Sequence, residues 1–155
     1  MRYLKVSLVI LLLWCKPVWS QFDIPEKPAS QTSVYDYIDL LEEQQKVALS
    51  QKLVRYSDST STQIVITIIA TTNGENINYL GANWGQKWGI GQEGKDNGIL
   101  IIVAQNDRKI AINTGYGVEG LLTDALSKRI IENVILPEFR TVSYTHLTLP
   151  TIYSV

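Results

Sequence analysis

Residues 99–104, Ile99-Leu100-Ile101-Ile102-Val103-Ala104, form a short β-branched apolar run. Gln105-Asn106-Asp107-Arg108 follows, and then Lys109-Ile110-Ala111-Ile112-Asn113-Thr114. An apolar run, a polar turn and a second β-branched run read as a β-hairpin. The first arm is nearly all apolar, as expected of a strand buried on both faces. In an antiparallel pair the start of one arm lies beside the end of the other, which decides where the flanking loops meet.

Working outward, Ile64–Ala70 (IVITIIA) is a second continuous apolar run and reads as a central strand. Leu41–Ser57 reads as a helix, with Leu41, Leu49, Leu53 and Tyr56 on one face. Its other face carries Glu42, Glu43, Gln44, Lys46 and Lys52. A second helix is expected at about Asn76–Lys87. Ile77, Leu80, Trp84 and Trp88 recur at helical spacing, and Gly81 and Gly85 lie four apart. The Trp spacing is that of a core face rather than of a sugar-stacking platform. A third helix is expected at about Thr123–Leu136, capped by Thr123 or Asp124 and stopped by Pro137. The expected order is α-β-α-β-β-α. It predicts an α/β fold, a mixed central β-sheet with helices on both faces.

Length and composition agree with one such domain. The chain has 155 residues, 45% hydrophobic and 19% charged, which excludes wholesale disorder and low-complexity architecture. A single Cys and a single His exclude a disulfide framework and multi-Cys or two-His metal sites. The net charge of −1 gives no basic surface for nucleic acid.

The ends read differently from the middle. Arg2 and Lys5, the apolar run Val6–Trp14, and Val18-Trp19-Ser20 have the pattern of a signal peptide over residues 1–20, cut before Gln21. An uncleaved anchor and a lipoprotein centred on Cys15 are the alternatives. The run is short for a stable span, and Trp14 is bulky where a lipoprotein signal needs a small residue. Cleavage removes three of the 14 basic residues and none of the 15 acids, taking the charge from −1 to −4. It also removes Cys15. Export to the periplasm or the extracellular space is the expectation. Residues 21–33, with Pro25 and Pro28, read as a linker. Residues 141–155, TVSYTHLTLPTIYSV, lack Lys, Arg, Asp, Glu and Gly and read as foreign sequence or a disordered tail.

The hairpin brings two loops to one rim. Gly91-Gln92-Glu93-Gly94-Lys95-Asp96-Asn97-Gly98 enters the first arm, and Gly115-Tyr116-Gly117-Val118-Glu119-Gly120 leaves the second. Glu93, Asp96, Glu119 and Asp124 are therefore expected on one side, with Asp107 at the opposite rim. Carboxylates with Asn and backbone carbonyls suit a hard cation, Ca²⁺ or Mg²⁺, and a helix start near Thr123 suits phosphate. Each acid also has a plainer use: Asp124 as a cap, Asp96-Asn97-Gly98 as a turn, Glu119 as a solvated charge. The segment 115–120 matches G-x-G-x-x-G, but it follows the second arm of a hairpin, so no nucleotide cofactor is expected. There is no Cys in the mature chain, no G-x-S-x-G and no Walker loop. Any acid–base chemistry must use carboxylates or water activated by a metal.

Trp88-Gly89-Ile90-Gly91, Asp96-Asn97-Gly98-Ile99-Leu100, Gly115–Asp124 and Ile135-Leu136-Pro137-Glu138-Phe139-Arg140 together resemble the TPM domain. The resemblance covers about Val34–Arg140, a domain of residues 34–140. It implies an extracytoplasmic α/β domain, divalent-metal binding, and the phosphatase activity reported for some members. It carries Asp96, Asn97, Glu119, Thr123 and Asp124 as site residues. It also implies that a further C-terminal segment of the domain is missing. Two functions follow. One is a metal-dependent phosphomonoester hydrolase, with Asp96 and Asp124 holding the metal, Thr123 at the phosphate, and Glu93 or Glu119 as the catalytic acid. The other is a non-catalytic Ca²⁺-binding module that steadies a membrane-protein complex.

Overall fold

The structure is a computed structural model and describes residues 22–138. The signal-peptide reading of residues 1–20 and the tail reading of 141–155 both lie outside the described residues.

Four strands form one mixed sheet in the order β1-β2-β3-β4: β1 (Val34–Asp36), β2 (Gln63–Ile69), β3 (Gly98–Ala104) and β4 (Lys109–Thr114). β1, β2 and β3 are parallel, while β3 and β4 form the expected antiparallel hairpin, with Ile99 opposite Thr114 and Ala104 opposite Lys109. The helices are α1 (Glu43–Thr60), α2 (Ile77–Trp88), α3 (Tyr116–Glu119) and α4 (Asp124–Ile130), with a π-helical stretch at Ile131–Ile135.

The alternation of side chains along the strands divides the core into two layers. Val65, Ile69, Leu100, Ile102, Ala104 and Ala111 share one face and pack under Ile77, Leu80, Trp84 and Trp88 of α2. Ile99 and Ile112 on the other face pack with Val118 of α3, flanked by Leu122, Ile130, Ile131 and Ile135. Helices thus cover both faces, as expected. Trp84 is fully buried, and Trp88 lies edge-on to both Trp84 and Tyr35, with ring centroids 5.5 and 4.7 Å apart. The tryptophans are core, not a platform. Asn76 caps α2 by accepting from the backbone N–H of Asn78 and Tyr79. Gly89 ends α2 in a left-handed conformation.

Five expectations are corrected. The order begins with a strand, β1, whose three residues are too few to show any periodicity. The Gly115–Gly120 segment contains the short helix α3. The last helix does not stop at Pro137: residues 136–138 remain helical after the π-helical stretch. Proline removes an N–H and crowds the carbonyl four residues back, and a wider turn just before it relieves that crowding.

The fourth correction concerns residues 21–33, read as a linker. Within its described residues, Phe22 to Lys27 form a strap bound to α2. Phe22 and Ile24 pack against the α2 core layer. Trp88 Nε1 donates to the Pro25 carbonyl at 2.9 Å, and Lys87 Nζ donates to the Ile24 carbonyl at 2.7 Å. Lys27 Nζ donates to the Trp88 carbonyl at 2.8 Å. On α1, Tyr56 is 49% exposed rather than part of a buried face. Among the described residues no helix is long and apolar enough to cross a membrane.

Candidate functional site

The two glycine-rich loops meet where the hairpin topology requires. Gly115 N–H donates to the Gly98 carbonyl at 2.8 Å, and Gly117 N–H to the Asp96 carbonyl at 3.0 Å. A Cβ on Gly115 would overlap Asp96 O, and one on Gly117 would overlap Lys95 O. These glycines are thus fixed by the close approach of two backbones. Asp96 is held at φ +48°, a left-handed conformation that Asp tolerates better than most residues. Its own N–H donates to the Gln92 carbonyl at 3.1 Å.

Asn97 joins the loop to the rest of the domain. Its Oδ1 accepts from Gln92 N–H at 2.8 Å, and its Nδ2 donates to the Ser61 carbonyl at 2.5 Å. Its carbonyl accepts from Gln63 N–H, and Gln63 Oε1 in turn accepts from Gly91 N–H at 2.7 Å. The loop is therefore stitched to the start of β2 by side chains the sequence presents as ordinary polar residues.

Beside this loop lies a cleft of about 650 Å³. Gly81, Gly85 and Gly89 of α2 and its C-cap form one wall with Leu100. Glu93 and Asp96 stand on the loop side, Asn113 and Thr114 on β4, and Tyr116 at the start of α3. Tyr116 is 85% exposed. Asn113 Nδ2 donates to the Asn78 carbonyl at 2.9 Å, while its buried Oδ1 finds no hydrogen-bond donor.

A family model of the TPM domain matches residues 34–146. The chain belongs to the TPM domain family. The match runs past Arg140 to residue 146. The N-terminal domain of a protein from P. gingivalis has a similar solution structure. Its TM-score is 0.67 at 28% identity, covering 74% of this chain and 73% of that one. The N-terminal domain of a protein from Corynebacterium glutamicum shares the fold, with a TM-score of 0.55 at 17% identity over 81% of this chain and 76% of that one. No curated protein matches the chain.

On this TPM domain the residues singled out from sequence separate into two groups. Glu93 and Asp96 line the cleft. Glu119, Thr123 and Asp124 are exposed on the adjoining helices and are not among its lining residues. Thr123 Oγ1 accepts from Leu126 N–H at 3.3 Å, so this hydroxyl acts as the cap of α4. The Asn97 side chain is engaged at both ends by Gln92 and Ser61, and a cation would have to share its oxygen with Gln92. Among the described residues no three His, Cys, Asp or Glu side chains gather as a metal-holding group. The four acids expected on one rim therefore form no such cluster.

Asp107 sits in the turn between β3 and β4, at the far end of the hairpin from the cleft. It accepts from Thr72 N–H and from the hydroxyls of Thr71 and Thr72, each at 2.8 Å. Those hydrogen bonds, the Thr72 N–H foremost, hold its carboxyl below the ordinary carboxylate range.

The sequence reading missed Asn113, Thr114, Gln92 and Tyr116 on the cleft. Asn113 had a signal: it occupies the same strand parity as Ala111, which faces α2, so a polar residue stands where an apolar one is the rule.

Proposed function

We propose that this TPM domain is an exported, divalent-cation-dependent phosphomonoester hydrolase working from the cleft beside Asp96. One observation carries the reading. The cleft opens where Asp96-Asn97-Gly98 enters β3, and two carboxylates, Glu93 and Asp96, stand on its wall. Clefts of about 300–1,000 Å³ are the usual size for a small-molecule ligand.

The donor chemistry fits a hard cation, Ca²⁺ or Mg²⁺. Glu93 and Asp96 offer carboxylate oxygens, the loop offers carbonyls, and residues 22–138 contain no His or Cys to favour a softer metal. Bound there, the cation would neutralise phosphate charge and polarise the ester. Residues of this chain do the rest. The interlocked loops fix the Asp96 backbone, so its carboxylate is presented from a rigid base. Glu93 holds the cation with Asp96 in this reading, so the leaving oxygen takes its proton from water. Thr114 and Gln92 line the same space and offer hydrogen bonds to a phosphate. Asp124 and Glu119 contribute charge from outside the cleft.

A second reading is a binding module without turnover that serves a membrane-protein complex. It is favoured by the lack, among the described residues, of a third carboxylate, histidine or cysteine gathered with the first two. Such a cleft binds charge readily but has few groups to relay a proton. Phosphate release from a generic phosphomonoester, with and without Ca²⁺ or Mg²⁺, separates the two. Metal-dependent turnover lost in Asp96→Asn supports the hydrolase. Calcium binding without turnover supports the module.

A further inference from the structure

We propose that the α2 side of the cleft receives the organic group of the ester, that this group is a flat aryl-type ring, and that Gly85 determines whether it enters. The inference rests on the reading of the Glu93–Asp96 end as the phosphate end.

The cleft, at about 650 Å³, has room for a whole small molecule rather than an ion alone. Its chemistry changes along its length. Asp96 stands just before β3, and Leu100 lies two residues beyond Gly98 within that strand. Charge at the loop thus gives way to an uncharged wall of Gly81, Gly85, Ile90 and Leu100, edged by the amides of Gln86 and Asn113. An ester with a polar phosphate and an apolar leaving group matches that order.

Gly85 is the residue that packing does not explain. Gly81 cannot carry a Cβ, because it would overlap Asn113 Oδ1. Gly89 has φ +56° and ends the helix. Gly85 lies inside α2 with no positive φ, and a Cβ there would meet only Leu100 Cδ2, at an ordinary contact distance of 4.0 Å. Glycine within a helix is less stable than alanine. Nothing in the fold requires that loss, whereas a side chain at 85 would project towards Leu100 and narrow the cleft. Tyr116 also lines the cleft, and at 85% exposure for the residue it is available to stack on an entering ring.

The test compares phenyl phosphate with methyl phosphate on the full chain in the presence of Ca²⁺. Binding is measured by calorimetry and turnover by phosphate release. Wild type is expected to bind the phenyl ester about tenfold more tightly, the order expected from burying one ring. In Gly85→Leu the phenyl-to-methyl ratio falls towards one. In Gly85→Ala it falls part of the way, and that variant melts no lower than wild type, which shows an intact fold. Equal binding of the two esters, no binding of either, or a ratio that survives Gly85→Leu overturns the inference. Ring-selective, Gly85-dependent binding without phosphate release overturns the hydrolase reading alone. Turnover of both esters with no dependence on Gly85 overturns this inference alone.

Discussion

The side-chain amide of Asn113 on β4 occupies the space that a Cβ on Gly81 of α2 would fill. Asn113 Nδ2 donates to the Asn78 carbonyl one turn earlier on α2. Gly81→Ala must push Asn113 aside and strain that bond. Overpacking of this kind costs about 1–3 kcal/mol, against a helix-propensity gain of about 1 kcal/mol. Urea denaturation should therefore show Gly81→Ala to be less stable than wild type. Gly85→Ala, whose Cβ meets only Leu100 Cδ2 at an ordinary contact distance, should be as stable or more so. Equal stability of both variants would remove the Asn113 contact as the reason for Gly81.

Acid sensitivity should come from two carboxylates that serve structure. Burial pushes the Asp36 carboxyl up, but backbone N–H groups of Leu41, Leu40 and Ile38, with Lys46, outweigh burial and leave it lowered. Asp107 is lowered by Thr71 and Thr72. A carboxyl lowered in the folded state binds fewer protons there than in the unfolded state. Its stabilisation is present above the ordinary carboxylate value of about 4 and disappears as pH falls through the folded value. Melting temperature should be flat near neutrality and drop most steeply below about pH 4. Asp107→Asn should lower it at pH 7 and approach wild type in acid. A variant curve parallel to wild type down to the acid end would place the acid sensitivity elsewhere.

Much of this fold was legible because long apolar runs fix their own neighbours. The runs in β2 and β3 leave few alternatives to central strands, and the hairpin turn then forces the Gly91–Gly98 and Gly115–Gly120 loops together. What was illegible depended on contacts distant in sequence. β1 has three residues and exists only because Val34–Asp36 pairs with Ile66–Ile68. The strap looks like a linker because its prolines and polar residues say nothing of Trp88 Nε1, 63 residues away, which bonds Pro25. At the site, topology brought the loops together correctly. It could not show that the Asn97 side chain points into the stitching between loop and β2, or that Asp124 stays off the cleft wall.

The strap should contribute measurably to stability. Phe22 lies 5.7 Å from Trp84, ring to ring, and is partly buried against the α2 core. Phe22→Ala should cost about 1–2 kcal/mol, less than the 3–5 of a fully buried phenylalanine. It should also uncover part of Trp84. Tryptophan emission should shift to longer wavelength while far-UV dichroism stays unchanged. No change in either stability or emission would mean that the strap is not bound in solution.

The metal reading has its own discriminating set. Glu93 and Asp96 line the cleft; Asp124 stands on the next helix, and Asp107 at the opposite end of the hairpin. A cation that binds only the folded state adds RT ln(1 + [L]/Kd), about 2.7 kcal/mol at 100 times Kd. For a domain of this size that is a rise of roughly 5–10 °C in melting temperature. Asp96→Asn is a clean probe, because asparagine also tolerates the left-handed conformation that residue 96 adopts. It should abolish the calcium-induced rise, and Glu93→Gln should cut it strongly. Asp124→Asn should reduce it by less, through lost charge alone. Asp107→Asn should start from a lower melting temperature and keep the whole rise, which separates binding at the cleft from general screening of an acidic chain. An equal rise in all four variants would leave Glu93 and Asp96 as solvated loop charges, and the cation would drop out of the mechanism.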